Sequence, residues 1–210
     1  MSVRHTVTQR ETIASIAQDF GFSHFETLWN HPDNAELKAK RSDPNVLFPG
    51  DVVVVPDKES KTVTVATGRE HEFVVRRHDL LLRLSLVDLI GEPMADLECS
   101  LTINGKESKA TTDAEGIVEV HVSAATREVT LSVGAQEQVL EVGALDPASE
   151  VSGWQGRLRN LGHYFGPIGE ESDPHDAAFS LRSFQADNDL DTTGTPDDPT
   201  LAKLLKVHGS

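Results

Sequence analysis

The chain has 210 residues, a single cysteine and a formal net charge of −15 at neutral pH. That length admits one large domain or two to three small ones, and the composition is globular rather than disordered. Acidic residues outnumber basic ones along the whole chain, and no Lys/Arg patch is interleaved with aromatics, so neither nucleic acid nor an anionic membrane is an expected partner.

Cys99 lies in a strand-like run and reads as a small buried apolar residue; an intramolecular disulfide is impossible. The N-terminus has no apolar core of signal-peptide length, and no window reaches membrane-spanning length. The expectation is synthesis in the cytoplasm. Any export, to the periplasm or to a target cell, would use a route that needs no cleaved signal.

The first segment, residues 1–57, is predicted as strand, helix, helix, strand. Val3 to Thr8 is the expected partner of Val52 to Val55, four β-branched residues launched by the Pro49-Gly50-Asp51 turn and closed by Pro56. Thr12 is the expected N-cap before Ile13, Ile16, Ala17 and Phe20, with Gly21 as the stop. Phe25, Leu28 and Trp29 supply a second apolar stripe, and a turn is expected at Pro44-Asn45.

The words RHTVTQRETIASIAQDFG, LWNHPDN and DPNVLFPGDVVVVPD resemble the LysM domain over essentially all of residues 2–57. The chain departs from that family where Arg10-Glu11-Thr12-Ile13 replaces the usual Gly-Asp-Thr-Leu, and in the long interval from Asn34 to Asp43. The resemblance implies a glycan groove between two loops, Arg10, Glu11, Thr12 and Ile13 on one side and Pro44, Asn45, Val46 and Leu47 on the other. Val46 and Leu47 would form its apolar floor, with backbone groups near Thr12 and Asn45 meeting acetamides.

Residues 58–66 read as a linker running into an edge strand that ends near Thr67, and residues 67–143 as an all-β unit. Strands are predicted over His71 to Val75, Leu80 to Leu89, Leu97 to Ile103, Val118 to Val122, Val129 to Val133 and Val139 to Val142. Turn signals separate them, the sharpest being Asn104-Gly105, where both positions tolerate positive φ. Strands at this spacing predict a β-sandwich. The run LRLSLVDLIGEPMADLECSLTINGKESKATTDAEGIVEVHV resembles the transthyretin-like or carboxypeptidase-regulatory type of Ig-like domain.

A second linker is expected over residues 144–150, and a small three-helix bundle over residues 151–210. Val151, Trp154, Leu158 and Leu161 share one helical face, and Phe179, Leu181 and Phe184 mark a second helix. Leu201, Leu204 and Leu205 mark a third, with Leu158, Leu161, Phe184, Leu190, Leu201 and Leu205 as the expected core. GRLRNLGHYFGPIG followed by AAFSLRSFQADNDLDTTGTPDDPTLAKLL resembles the type-1 peptidoglycan-binding domain. The whole is a multidomain α+β chain.

Candidate chemistry is sparse. Asp187, Asp189, Asp191 and Asp198 follow an EF-hand-like count, yet Thr192 stands where such a loop needs glycine, and Asp198 replaces the usual glutamate. The segment is read as part of the helical unit, with calcium the alternative. Asp113, Glu115 and Gly116 read as a β-turn rather than a calcium loop. The histidines form no zinc-peptidase pattern, and neither a nucleophile elbow nor a phosphate-cradling loop is present.

No catalytic residue, metal or cofactor is therefore expected. The resemblances imply a noncatalytic protein that binds peptidoglycan glycan strands. The first segment followed by an Ig-like one also resembles proteins found beside type VI secretion spikes, which implies an accessory of a secretion or contractile injection system. The alternative is an adaptor that binds the spike, the baseplate or an effector protein without glycan.

Overall fold

The structure, a computed structural model, describes residues 2–58, 62–72 and 80–209. Over these residues the protein is mixed α+β, with small antiparallel sheets and six α-helices. In the first unit β1 (Val3–Thr6) runs antiparallel to β2 (Val52–Val55), with Val3 opposite Val55 and Thr6 opposite Val52. Between them lie α1 (Ile13–Asp19), α2 (Glu26–Trp29), a 3-10 turn (Pro32–Asn34) and α3 (Ala35–Lys40).

The expected two helices are thus three. The sequence Ala-Glu-Leu-Lys-Ala-Lys is built of strong helix formers, with Glu36 in the first turn and Lys38 and Lys40 in the last to complement the dipole. Only Leu37 of α3 is buried, so no apolar period announced it. Ile13, Ile16, Leu28, Leu37, Leu47 and Val53 converge in one core under the two-stranded sheet.

Two polar side chains hold that unit together. Asn34 is 1% exposed. Its Nδ2 donates to the carbonyls of Leu28 (2.9 Å) and Val54 (2.7 Å), and its Oδ1 accepts from the Val54 N–H (2.7 Å). The amide thus satisfies both backbone groups of Val54, as a third strand would. Asp51 is the second. It accepts from Arg41 Nε (2.8 Å), Lys40 Nζ (3.0 Å) and the Phe48 N–H (3.0 Å). Burial pushes the Asp51 carboxyl up, but the Arg41 and Phe48 hydrogen bonds, with Lys40 and the Arg41 charge, outweigh it and hold the group at about 2.

In the middle unit β3 (Leu80–Ser85) pairs with β6 (Ile117–Val122). A second sheet has the order β5-β4-β7-β8, from β4 (Glu98–Ile103), β5 (Lys106–Thr111), β7 (Glu128–Val133) and β8 (Gln136–Glu141). Leu82, Leu84, Val118 and Val122 of the first sheet meet Cys99, Leu101 and Val129 of the second in one core. The Asn104-Gly105 turn has positive φ at both residues, 52° and 77°, and pairs β4 with β5.

β5 was not among the expected strands because Lys-Glu-Ser-Lys-Ala-Thr is polar on both faces; it is recruited by the turn before it and the ladder beside it. The edge strand expected to end near Thr67 does not form over 62–67. Val63 and Val65 lie 65% and 45% exposed, too little apolar surface to hold a strand down. The strand expected over His71 to Val75 falls mostly outside the described residues.

The last unit packs α4 (Val151–Asn160), α5 (Pro174–Asp187) and α6 (Asp198–His208) around Trp154, Leu158, Tyr164, Leu181, Phe184 and Leu204. One residue expected to mark a helix, Phe179, and one expected core residue, Leu205, lie outside the core. Ala177, Leu181 and Phe184 define the inner face of α5, so Phe179, two residues out of phase, points to solvent at 72% exposure. On α6 Leu204 is fully buried and Leu205 is 38% exposed, since Leu201 has neighbours at both i+3 and i+4 and the sequence does not choose between them.

Asp51 generates a test. Its carboxyl titrates below its usual value of 3.8, so its stabilisation is complete above about pH 4 and is lost as pH falls toward 2. Asp51→Asn leaves Arg41 buried without its anion. It should cost about 3 kcal/mol at neutral pH and flatten the acid limb between pH 4 and 2 in urea unfolding followed by the methyl resonances of Val53 and Val55.

Candidate functional site

The first loop is shaped by three local interactions. Arg10 takes a left-handed conformation at φ 70°, which turns the chain sharply before α1. Glu11 Oε2 accepts from the Thr8 N–H (2.7 Å) and meets His5 Nε2 at 2.9 Å. Burial pushes the Glu11 carboxyl up, but the Thr8 and His5 hydrogen bonds outweigh it and hold it below its usual range. Thr12 Oγ1 caps α1 by accepting from the Ser15 N–H (3.0 Å), and Ser15 Oγ accepts from the Thr12 N–H (2.9 Å).

The second loop is tied to the first. The Ile13 N–H donates to the Pro44 carbonyl (3.0 Å), and Asp43 Oδ1 accepts from the Asn45 N–H (2.7 Å). Thr12, Ile13, Val46 and Leu47 are buried, whereas Arg10, Glu11, Pro44 and Asn45 are half-buried. Leu47 belongs to the core of the unit, packed with Ile13 and Leu28. What the two loops present outward is therefore Arg10, Glu11, Pro44 and Asn45. Asn45 Oδ1 is an enclosed acceptor with no hydrogen-bond donor.

A further set of residues closes on the same loops. Glu141, at the end of β8, forms an ion pair with Arg10. Gln9 Nε2 reaches Asp146 Oδ1 at 3.4 Å, and Gly143 lies against the Thr12 methyl, close enough that an added Cβ would stand 3.5 Å from it. Asp146 also accepts from Ser152 Oγ (2.6 Å), and its carbonyl accepts from Arg157 Nη1 (2.7 Å). Arg157 is 1% exposed; its burial lowers its pKa, opposed by the charges of Asp43 and Asp146.

Residues 144–150 are thus packed, with Pro147 and Ala148 buried. A Cβ at Gly153 would run into the Pro147 carbonyl. Sequence reasoning missed this contact. The one available signal was Gly153 at the start of a helix, where a conformationally free residue is a cost unless a backbone comes close.

The remaining titratable clusters have structural partners. His163 Nδ1 faces Ser183 Oγ (3.3 Å) and Asp187 Oδ2 (3.8 Å), so serine and carboxylate share one ring nitrogen, and a proton relay needs one on each. Burial lowers the His163 pKa against the pull of Asp187. Burial raises the Cys99 thiol, which donates to the Ala110 carbonyl (3.6 Å). Asp113 Oδ1 accepts from the N–H groups of Glu115 and Ile117, a turn-closing role.

In the acidic segment before α6, Asp197 Oδ1 accepts from the Thr200 N–H (3.0 Å) and hydroxyl (2.5 Å) as a helix cap. Among the described residues no group of three or more His, Cys, Asp or Glu converges to hold a metal ion, at 187–198 or elsewhere. No helix among them is long and apolar enough to cross a membrane.

The fold defines the class no further than α+β, with separate small cores. Neither family models, curated proteins nor solved structures gave a match to this chain.

The contact between the first loop and residues 141–146 should be measurable in solution. Glu141→Lys places a cation against Arg10 and should speed amide hydrogen exchange at residues 10–13 and 142–146, leaving residues 53–55 at the wild-type rate. Unchanged exchange at both segments would show that the ion pair does not hold them together.

Proposed function

We propose that the chain is a noncatalytic, peptidoglycan-binding modular protein that serves as an accessory of a bacterial secretion or contractile injection system. In this reading residues 1–57 are a LysM-like unit, residues 67–143 an Ig-like sandwich, and residues 151–210 a bundle of the type-1 peptidoglycan-binding kind. The ligand is the glycan strand, met at Arg10, Glu11, Thr12 and Ile13 and at Pro44, Asn45, Val46 and Leu47. Export to the periplasm or to a target cell would be carried out by the machine.

The observation that carries the reading is the Asn45 amide oxygen. It is an enclosed acceptor without a donor, beside the point where the Pro44 carbonyl joins the loops. Solvent does not reach that oxygen in this loop conformation, so the reading requires the loop to open, whereupon an N-acetylated sugar would supply an amide N–H for the acceptor and a methyl for apolar contact. The side chains that would form an apolar floor, Val46 and Leu47, are 9% and 3% exposed, so the glycan would meet mostly backbone and loop edges.

A second reading has an observation of its own. Glu141 already occupies Arg10, so the first loop accepts protein as a partner within this very chain. That favours an adaptor that binds a spike, baseplate or effector protein through the same surface.

Sedimentation with purified sacculi separates the two. Under the first reading the protein co-sediments, and Asn45→Ala weakens the interaction by about 1–3 kcal/mol, the cost of removing a polar partner. Binding should be indifferent to salt or improved by it, because screening relieves repulsion between an acidic protein and anionic wall polymers. Absence of binding at low and high salt, together with a firm protein partner captured from lysate, would establish the adaptor reading.

The noncatalytic part is tested separately. Sacculi incubated with the protein, with or without zinc, should release no new fragments. Release abolished by a single Asp or Glu substitution would overturn it.

A further inference from the structure

Strand β3 packs Leu80, Leu82 and Leu84 against the core of the middle unit, Leu86 follows them, and the chain then turns back toward β4. That turn holds two large aliphatic side chains in solvent. Leu89 is fully exposed and Ile90 is 82% exposed, with Val87 exposed beside them. Hydrogen bonds fix the turn. Asp88 Oδ1 accepts from the N–H groups of Ile90 (2.9 Å) and Glu92 (2.9 Å). The Asp88 carbonyl accepts from the Gly91 N–H (3.1 Å), and the Asp88 N–H donates to the Glu92 carbonyl (2.9 Å). Gly91 supplies the left-handed residue at φ 88°. Asp88 and Gly91 therefore make the turn. Leu89 and Ile90 add no packing to the core, at positions where turns favour small polar residues.

Negative charge surrounds this tip. Residues 86–98 and 111–117 build one end of the unit: the Leu86 N–H donates to the Gly116 carbonyl (2.8 Å), and the Thr112 hydroxyl donates to the Met94 carbonyl (2.5 Å). Those two segments carry Asp88, Glu92, Asp96, Glu98, Asp113 and Glu115, all exposed, and no Lys, Arg or His. The cations closest to them in sequence are Arg83, which faces Glu119 at 3.5 Å, and Lys109, on β5 opposite Ser100.

We infer that the turn at 87–92 is a docking tip for a folded protein, which receives Leu89 and Ile90 in an apolar pocket rimmed by lysine or arginine. Other occupants fit less well. A second copy of the chain would bring two acidic collars together. A loop that enters a bilayer relies on Trp or Tyr at the headgroups or on cations facing anionic lipid. Residues 80–143 contain no Trp, Tyr or Phe, and the collar is acidic. A turn already held by hydrogen bonds loses little freedom on binding, so ordering the loop offsets little of what burying its aliphatic side chains contributes. The tip stands at the end of β6 that begins with Ile117. The first unit touches the other end, where Ser123 Oγ donates to Gln18 Oε1 (3.4 Å). Docking at the tip therefore rests on neither reading of the first loop.

A benzophenone amino acid placed at Leu89 of the full chain tests the tip by photo-cross-linking in a lysate of the cells that make the protein. The same probe at Leu81, an exposed position of β3, is the control. Mass spectrometry of the adduct should give one protein, joined at Leu89 but not at Leu81, through an aliphatic segment with Lys or Arg beside it. That protein, purified, should bind the wild-type chain with an affinity that falls as salt rises. The paired substitutions Leu89→Ser and Ile90→Ser should weaken it about a hundredfold, about tenfold for each aliphatic side chain kept out of the pocket. Glu92→Lys should weaken it too, and less so at high salt. The melting temperature of the paired variant should equal that of the wild type, since neither side chain packs in the core.

No adduct at Leu89, an adduct shared with Leu81, or a purified partner that binds the paired variant as tightly as the wild type would overturn the docking tip. So would cross-linking to a second copy of the chain, or co-flotation with phosphatidylcholine vesicles that the paired variant loses. A lowered melting temperature in the paired variant would overturn it by assigning the two side chains to the fold. Sacculus sedimentation concerns the first loop and not the tip, so its failure leaves docking standing, and failure to dock leaves the glycan reading standing.

Discussion

The arrangement depends most on one buried cation. Arg157 lies on α4 with its guanidinium enclosed, and an arginine in that position must find acceptors for its N–H groups, because it does not shed its charge. It takes the carbonyls of Gly153, within its own helix, and Asp146, in the segment before it, at 2.9 and 2.7 Å. The carboxylates of Asp43 and Asp146 supply the opposing charge. The bond to the Asp146 carbonyl thereby ties the segment before α4 to the helix.

Consequences run outward from that bond. With its carbonyl on Arg157, Asp146 presents one carboxylate oxygen to Ser152 and the other to Gln9. Gly143, at φ 73°, brings the backbone past Thr12, where a side chain would be strained. Glu141 then reaches Arg10. Asp43, which shares the Arg157 field, is the same residue that caps the turn carrying Asn45. Both loops of the candidate site are thus fixed in relation to α4, although more than a hundred residues of sequence lie between them.

What could be read from the sequence follows the range of the interactions. The Thr12 cap, the four-valine strand and its pairing with Val3 to Thr6 were legible because each rests on neighbours in the chain or on a β-branched run. The Asn104-Gly105 turn was legible, yet the strand it launches was not, since β5 carries no apolar alternation. Helix α3 was hidden for the same reason, with Leu37 its single buried residue. At the site, the two loops were named from local words, and a hydrogen bond from the Ile13 N–H to the Pro44 carbonyl joins them. The burial of Leu47 and the approach of Glu141 were not legible, because both depend on what packs from far along the chain.

Among the described residues three enclosed side-chain polar atoms have no hydrogen-bond partner, and they are not equivalent. The Thr126 hydroxyl both donates and accepts, so a neighbour of either kind would serve it. The Asn45 and Gln155 atoms are single ends of amides. Asn45 presents an acceptor from a loop whose N–H is already taken by Asp43, and Gln155 presents a donor from a side chain whose oxygen is already taken by Gly169. Each is half of an amide hydrogen bond, one lacking an N–H and the other a carbonyl. Arg157, two residues beyond Gln155 on α4, connects that helix to the segment that touches Arg10.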